Sequence, residues 1–210
     1  MTTKQVDKKD FTRVEISTTF DFEIIQAKTF SVQLNADEGF LKNVNVDQDG
    51  DKLSVGHSHH VAWMFRFTRP KVKITMPVIK ELRLVGAVQG EVTGFKSKED
   101  LRLEMDGASK VTLDLQAGNT EIHVRGACSV DAKGAAESLI VDVNGACTLL
   151  MKEFVVKNAA VRLNGASTCT VNVNGKLDAR LGGVSNLFLV GEPTIGDIRS
   201  SGMAKLSKLS

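Results

Sequence analysis

From about Leu82 to the C-terminus, short runs of alternating apolar and polar residues return at a regular interval. A Gly-Ala pair, degenerate in the last two repeats, marks each return. These marker glycines are Gly86, Gly107, Gly126, Gly145, Gly165, Gly183 and Gly202. They lie 18–21 residues apart. A constant period of about this length is typical of solenoid proteins, in which every repeat stacks on its neighbours.

Aligned on the marker glycine, the repeats show the two-residue alternation of a β-strand. Four residues before the glycine stand Leu82, Leu103, Ile122, Val141, Val161 and Ala179. Two residues before it stand Leu84, Met105, Val124, Val143, Leu163 and Leu181. Between these apolar columns stand Arg83, Glu104, His123, Asp142, Arg162 and Arg180. We therefore predict that the apolar columns share one core and that the middle column faces solvent.

The positions after the glycine continue this alternation. Two residues on stand the small side chains of Ser109, Cys128, Cys147, Ser167 and Ser185. Four residues on stand Val111, Val130, Leu149, Cys169, Leu187 and Leu206. Small residues beside a glycine suit a sharp corner. Each repeat is thus predicted to form a strand, a corner and a second strand, and then to return about 4.8 Å higher.

The repeat fades in the first eighty residues, although short alternating segments and turn signals continue. We interpret residues 1–80 as a β-rich section that begins the same core and caps the solenoid. Residues 81–210 form the Gly-Ala repeat array, continuous with that section. A cap is expected because an open solenoid end exposes a sheet edge and an apolar cross-section.

The composition agrees with an all-β fold and limits the classes of partner that the protein is expected to bind. The chain has 18 Gly but 3 Pro, and 42% of its residues are hydrophobic, as in ordinary globular proteins. The net charge of +2 arises from 27 basic and 25 acidic residues scattered along the chain. We therefore expect no nucleic-acid partner. No apolar run approaches the roughly 18 residues of a membrane span, and none is predicted.

Two segments carry candidate chemistry upstream of the array. Gly56-His-Ser-His-His60 could bind a transition metal, but no carboxylate or Cys stands at ligand spacing, so we interpret it as a polar loop and assign no cofactor. Trp63-Met-Phe-Arg-Phe67 alternates aromatic residues with others. Trp63 is a candidate binding residue if this strand is exposed, and a core residue if it is buried.

The outward columns of the array supply the other candidate binding residues: His123, Arg125, Asn144, Arg162 and Asn164. Flat ladders of hydrogen-bonding groups could recognise a glycan or a protein, and a plain solvated sheet face is the alternative. In the small inward column, Cys128 and Cys147 could approach disulfide distance. The serines of the same column favour buried free thiols instead.

Several segments of the array resemble one bacterial family. The segments Asp106-Gly-Ala-Ser-Lys-Val111, Arg125-Gly-Ala-Cys-Ser-Val130, Asn144-Gly-Ala-Cys-Thr-Leu149 and Asn164-Gly-Ala-Ser-Thr-Cys169 are similar to the "putative auto-transporter adhesin, head GIN domain" family (DUF2807). The resemblance implies a single-stranded, right-handed, pectin-lyase-like parallel β-helix without catalytic residues, exported to the cell envelope or beyond it and involved in adhesion. Because Met1 to Asp10 is polar and charged, that location assumes an export signal outside this sequence.

These features favour a non-enzymatic binding or adhesion module of the bacterial cell envelope. Its flat polar face would contact a glycan or protein at the cell surface, and homo-oligomer formation is left open. One alternative is a carbohydrate-active β-helix enzyme, either a polysaccharide lyase or a hydrolase, and another is a purely structural envelope protein. A carbohydrate-active enzyme needs clustered carboxylates, or a basic residue beside a metal-binding Asp in a groove. The acidic residues here are dispersed and are separated by basic residues in the same column, so no catalytic residue is predicted.

Overall fold

The computed structural model describes residues 2–57 and 69–209, which form eighteen β-strands and one short helix. The first nine strands are β1 (Thr2–Val6), β2 (Arg13–Thr18), β3 (Asp21–Gln26), β4 (Ser31–Ala36), β5 (Val44–Asp49), β6 (Lys52–His57), β7 (Lys71–Met76), β8 (Glu81–Gly86) and β9 (Gln89–Lys96). The others are β10 (Leu101–Gly107), β11 (Lys110–Gly126), β12 (Ser129–Gly145), β13 (Thr148–Gly165), β14 (Thr168–Val173), β15 (Lys176–Leu181), β16 (Asn186–Val190), β17 (Thr194–Ser200) and β18 (Lys205–Lys208). Helix α1 spans Glu38–Leu41.

From β8 onward, successive coils pair in parallel, and they are in register around the marker glycines, which confirms the all-β and β-solenoid predictions. The register shifts elsewhere, as between Asp131 and Lys133. Each coil has a first segment that ends at the marker glycine and a second segment that begins after the corner. The long strands β11, β12 and β13 each run from the second segment of one coil into the first segment of the next. Gly86, Gly107, Gly126, Gly145 and Gly165 occupy one register row. Equivalent residues of neighbouring coils therefore lie directly over one another.

The first segments form one strand series, in the order β5-β6-β2-β8-β10-β11-β12-β13-β15-β17. The second segments form the series β1-β4-β7-β3-β9-β11-β12-β13-β14-β16-β18. The coil of β2 and β3 thus lies between the coil of β6 and β7 and that of β8 and β9. A strictly sequential order of coils near the N-terminus, as the repeat pattern would suggest, does not occur.

Among the strands that the structure describes, three antiparallel pairings, β1–β4, β4–β7 and β5–β6, lie at the N-terminal end of the stack. Side chains from both predicted sections form one hydrophobic cluster that extends from Phe11 to Leu189. The boundary between residues 80 and 81 itself stays a prediction.

The predicted inward columns are buried, with one exception at the C-terminal end. Leu103, Ile122, Val141 and Val161 are each at most 1% exposed. Leu206, however, is 36% exposed. It lies in β18, which pairs with β16 but with no further strand of the described chain, so no coil covers its outer side.

The column two residues after the marker glycine, which we call the corner column, contains hydrogen-bond donors as well as small side chains. The Ser167 hydroxyl donates to the Gly145 carbonyl oxygen over 2.9 Å, and the Cys147 thiol donates to that of Gly126 over 3.3 Å. Ser109, Cys128 and Ser185 make the equivalent bond to the preceding coil. Each member is therefore a donor that secures its corner to the coil before it.

Replacing Ser167 tests the role of these donors. Its hydroxyl donates to Gly145 and also accepts the Cys147 amide over 3.3 Å. We expect Ser167→Ala to lower the free energy of unfolding by about 1–3 kcal/mol, since each of the two hydrogen bonds contributes about 0.5–1.5 kcal/mol. Ser167→Cys, which restores the donor used elsewhere in the column, should lose less. Urea unfolding measures both variants, and equal losses would contradict a role for the donor.

The three cysteines are buried free thiols, as the serine pattern favours. Burial raises the pKa of Cys169 to about 12. The Cys128 and Cys147 thiols lie against carbonyl oxygens of the preceding coil, which accounts for their place in the column.

Candidate functional site

The outward side chains of the first strand series form a surface that we call the polar face. Its middle column contains, in register, Glu15, Arg83, Glu104, His123, Asp142, Arg162, Arg180 and Arg199. A second column contains Asp106, Arg125, Asn144 and Asn164. The parallel register sets the distance between neighbours in each column at about 4.8 Å.

This face brings together five of the six binding candidates. Arg125, Asn144 and Asn164 are exposed neighbours in the second column. Arg162 is exposed and His123 is half-buried in the middle column. Their role in binding stays a prediction. Trp63 lies outside the described residues, as do two of the three histidines in the proposed polar loop.

Ion pairs neutralise the N-terminal half of the polar face. Arg83 lies 3.7 Å from Glu15 and 3.5 Å from Glu104. Arg102 lies 2.7 Å from Glu104 and 2.8 Å from Glu121. Positive and negative side chains thus alternate from coil to coil. Because opposite charges that face each other across strands are favourable, Arg83, Arg102 and Glu104 have their partners within this half.

A change of pH tests that network. The hydrogen bond from Arg102 holds the pKa of Glu104 below its usual value, against a smaller opposing effect of burial. The resulting stability is present above the unfolded-state pKa of about 4.3 and is lost as the pH falls through the lower folded-state pKa. We expect Glu104→Gln to cost up to about 1 kcal/mol at pH 6. The cost should shrink at pH 3. Urea midpoints measure both values, and an equal cost at the two pH values would contradict the assignment.

The C-terminal half of the polar face has a different charge pattern. Arg162, Arg180 and Arg199 are consecutive register neighbours, and we call them the arginine row. Among the described residues, no carboxylate forms an ion pair with Arg162 or Arg180. Arg199 pairs with Asp197 of its own strand, over 3.1 Å. Asp142, the register neighbour on the other side of Arg162, forms no ion pair with it within 4.0 Å.

Another carboxylate beside Arg162 and Arg180, that of Asp178, is already engaged. Asp178 stands two residues before Arg180 and accepts a hydrogen bond from Lys176 Nζ over 2.9 Å. It also accepts the Asp197 amide over 2.7 Å. These bonds hold the pKa of Asp178 below its usual value, the Lys176 bond most strongly. Asp178 is therefore bound to groups other than the arginines.

The arginine row borders a shallow groove of about 360 Å³, near the lower limit for small-molecule sites. Asn164, Gly182 and Ser201 line its other side. The groove therefore offers guanidinium and amide donors to a ligand. The Ser201 hydroxyl donates to the Leu181 carbonyl oxygen over 3.5 Å and can accept a hydrogen bond from a ligand. Sequence reasoning placed Arg162 and Arg180 in the middle column but missed the row. Arg199 stands three residues before Gly202, so the same alignment could have completed it.

Neither a group of metal ligands nor a helix long enough to span a membrane occurs in the part of the chain that the structure describes. Within residues 2–57 and 69–209, no three His, Cys, Asp or Glu side chains are grouped as metal ligands. The one described helix, α1, has four residues, far too few to cross a membrane.

Solved structures share this fold over nearly their whole length. A protein of Bacteroides fragilis NCTC 9343 described as a putative adhesin has a TM-score of 0.89 at 16% identity, covering 99% of this chain and 96% of its own. A putative lipid binding protein of Parabacteroides distasonis ATCC 8503 has a TM-score of 0.73 at 16% identity, covering 100% and 96%. A putative adhesin of Parabacteroides merdae ATCC 43184 has a TM-score of 0.69 at 16% identity, with the same coverage.

These likenesses, at such low identity, concern the fold alone. The chain matches no curated protein. The family described as "Putative auto-transporter adhesin, head GIN domain" (DUF2807) matches residues 10–193, most of the chain. The resemblance carried by the Gly-Ala segments is thereby confirmed, and the chain belongs to this family.

Proposed function

We propose that the protein is a non-enzymatic binding module of a bacterial cell envelope, and that its polar face contacts a glycan or protein at the cell surface. The observation that carries this proposal is the column of exposed polar groups, repeated at the coil spacing on a stacked core. Donors held on rigid strands lose little conformational entropy on binding. Exposed Arg125, Asn144 and Asn164 are such donors in consecutive coils.

Family membership supports the envelope location. The family is described in terms of adhesin heads, and two of the three solved structures reported above are described as putative adhesins. The neighbour described as a putative lipid binding protein suggests that surfaces of this fold serve more than one ligand class.

The pairing of charges favours binding over catalysis. An acid–base pair of a glycosidase needs carboxylates that are free to exchange protons with substrate. Glu15, Glu104 and Glu121 on the polar face are instead engaged by basic side chains. These carboxylates serve the structure of the face. Asp142 forms no ion pair among the described residues, but its register neighbours are His123 and Arg162, not a second carboxylate.

A binding screen with a matched control tests the proposal. Labelled protein is applied to a glycan array and to bacterial cells, and compared with the triple variant Arg125→Ala, Asn144→Ala, Asn164→Ala. The control is Lys110→Ala, Asp114→Ala, Thr148→Ala, three exposed positions of the second strand series. We expect the first variant to lose binding and the control to keep it, with unchanged circular dichroism in both.

Two results would overturn the proposal. Equal binding by both triple variants would remove the polar face as the contact surface. Incubation with acidic and neutral polysaccharides, followed by measurement of new chain ends, addresses catalysis. Chain cleavage that survives repeated purification would make the protein a carbohydrate-active enzyme.

A further inference from the structure

We propose that the arginine row binds a linear acidic polysaccharide whose carboxylates lie along Arg162, Arg180 and Arg199. This inference rests on the proposed function and deepens it by naming the ligand class. Asn164 and Ser201, on the other side of the groove, are placed to bind sugar hydroxyls.

The first argument is the uncompensated charge. Like charges that face each other on adjacent strands destabilise a sheet. The N-terminal half of the same face avoids this by alternating Arg83, Glu104 and their partners. In the C-terminal half, three cations follow one another, and Arg162 and Arg180 have no carboxylate partner among the described residues. A bound polyanion would supply the missing negative charge.

The second argument is the choice of side chain. All three positions are arginine, although lysine would serve equally well for solubility. A guanidinium offers a planar fork of donors that matches a carboxylate with two parallel hydrogen bonds. The Arg199 side chain is 70% exposed, so it is not held in place by the core. The row is chemically suited to carboxylates and accessible to them.

The third argument is spacing. Neighbouring arginines are one coil apart, about 4.8 Å, so the row extends for about 10 Å along the solenoid axis. In an extended 1,4-linked polyuronate, neighbouring carboxylates point to opposite sides of the chain, so those on one side recur at every second sugar residue. Two sugar residues span a distance comparable to the length of the row, so a polyuronate lying parallel to the axis can place two carboxylates of one side over the two ends of the row. The amide of Asn164 and the hydroxyl of Ser201 suit a hydroxyl-rich polymer better than a lipid tail.

Binding to immobilised polygalacturonate tests the proposal, and fully methyl-esterified pectin is the uncharged counterpart of the same polymer. The test variant is Arg162→Gln, Arg180→Gln, Arg199→Gln. The control is Lys110→Gln, Lys133→Gln, Lys152→Gln, which removes the same charge from exposed positions of the second strand series. We expect wild type to bind the acid polymer but not the ester. Each lost arginine should weaken binding about tenfold, and the lysine control should weaken it far less.

Two single variants separate recognition from structure. Arg180→Lys keeps the charge but loses the fork, so its affinity should lie between wild type and Arg180→Gln. Arg180→Gln relieves repulsion from both neighbours, so its Tm should rise while its binding falls. A fall in Tm with unchanged binding would show that Arg180 has a structural role, and would overturn the proposal.

The remaining outcomes also decide the matter. Wild-type protein that binds none of polygalacturonate, alginate and hyaluronate overturns the proposal. An equal loss of polygalacturonate binding in the arginine and lysine triple variants also overturns it. So does binding of wild type to single-stranded DNA as strong as its binding to polygalacturonate, because both results indicate nonspecific charge attraction. Binding to phosphatidylglycerol vesicles without polyuronate binding would assign the row to lipid. Neutral-glycan binding that depends on Arg125, Asn144 and Asn164 alone would keep the proposed function and overturn this inference.

Discussion

Gly126→Ala is expected to lower the free energy of unfolding by about 2–6 kcal/mol, through backbone strain and overpacking together. Gly126 has a φ of +103°, which side-chain-bearing residues rarely adopt. A Cβ atom there would overlap the carbonyl oxygen of Gly107 in the preceding coil. That oxygen accepts the Ala127 amide over 2.8 Å, so it cannot move away without breaking the corner. A loss of this size is a large share of the 5–15 kcal/mol that typically stabilises a domain.

Gly50→Ala is the matched control for this substitution. Gly50 also has a positive φ, +56°, but a Cβ atom there would meet no atom within 4 Å. Gly50→Ala should therefore lower the free energy of unfolding only by the strain of a left-handed backbone, about 1–2 kcal/mol. Denaturant unfolding compares the two variants. Equal costs would mean that the close stacking of corners does not constrain the marker glycines.

Ile122→Ala is expected to cost about 2–5 kcal/mol, because the lost side chain leaves a cavity in the core. Ile122 is 0% exposed and lies in register between Leu103 and Val141. The coils on both sides are fixed by their backbone pairing, so the cavity cannot collapse easily. We expect thermal and urea unfolding to report the same loss if the array unfolds as one unit.

Ile140 provides the comparison with the opposite orientation. It lies in the same strand series but points outward and is 44% exposed. Ile140→Ala should change the free energy of unfolding by less than about 0.5 kcal/mol. Similar costs for both isoleucines would contradict the alternation of inward and outward columns.

The repeat array was predictable because its signal is strictly local. Every corner of the array admits only glycine, and its strands alternate with a period of two residues. Residues of the same kind therefore stand at the same offsets in every repeat. Register then follows, since a slip by one residue would turn Ile122 and its neighbours toward solvent. The N-terminal coil order was not predictable in this way. The pairing of β2 with both β6 and β8 depends on contacts distant in sequence, and no motif in β2 specifies them.

The candidate site was predictable only in part. The alternation of inward and outward residues along the strands was enough to place His123, Arg162 and the second column on one surface. The arginine row was hidden because a net charge of +2 averages over a chain whose charges are balanced elsewhere. Which cations have partners depends on side-chain geometry: Arg83 is paired from both sides, whereas Arg180, at the same repeat position, is not.

The most direct test of the binding proposal is a two-dimensional NMR spectrum of the arginine Nε–H groups during titration with polygalacturonate oligomers. Assignments come from the single Arg→Gln variants. We expect the resonances of Arg162, Arg180 and Arg199 to shift together, with one midpoint, while those of Arg83 and Arg102 stay in place. Unchanged resonances from the arginine row, or shifts confined to Arg83 and Arg102, would contradict binding along the row.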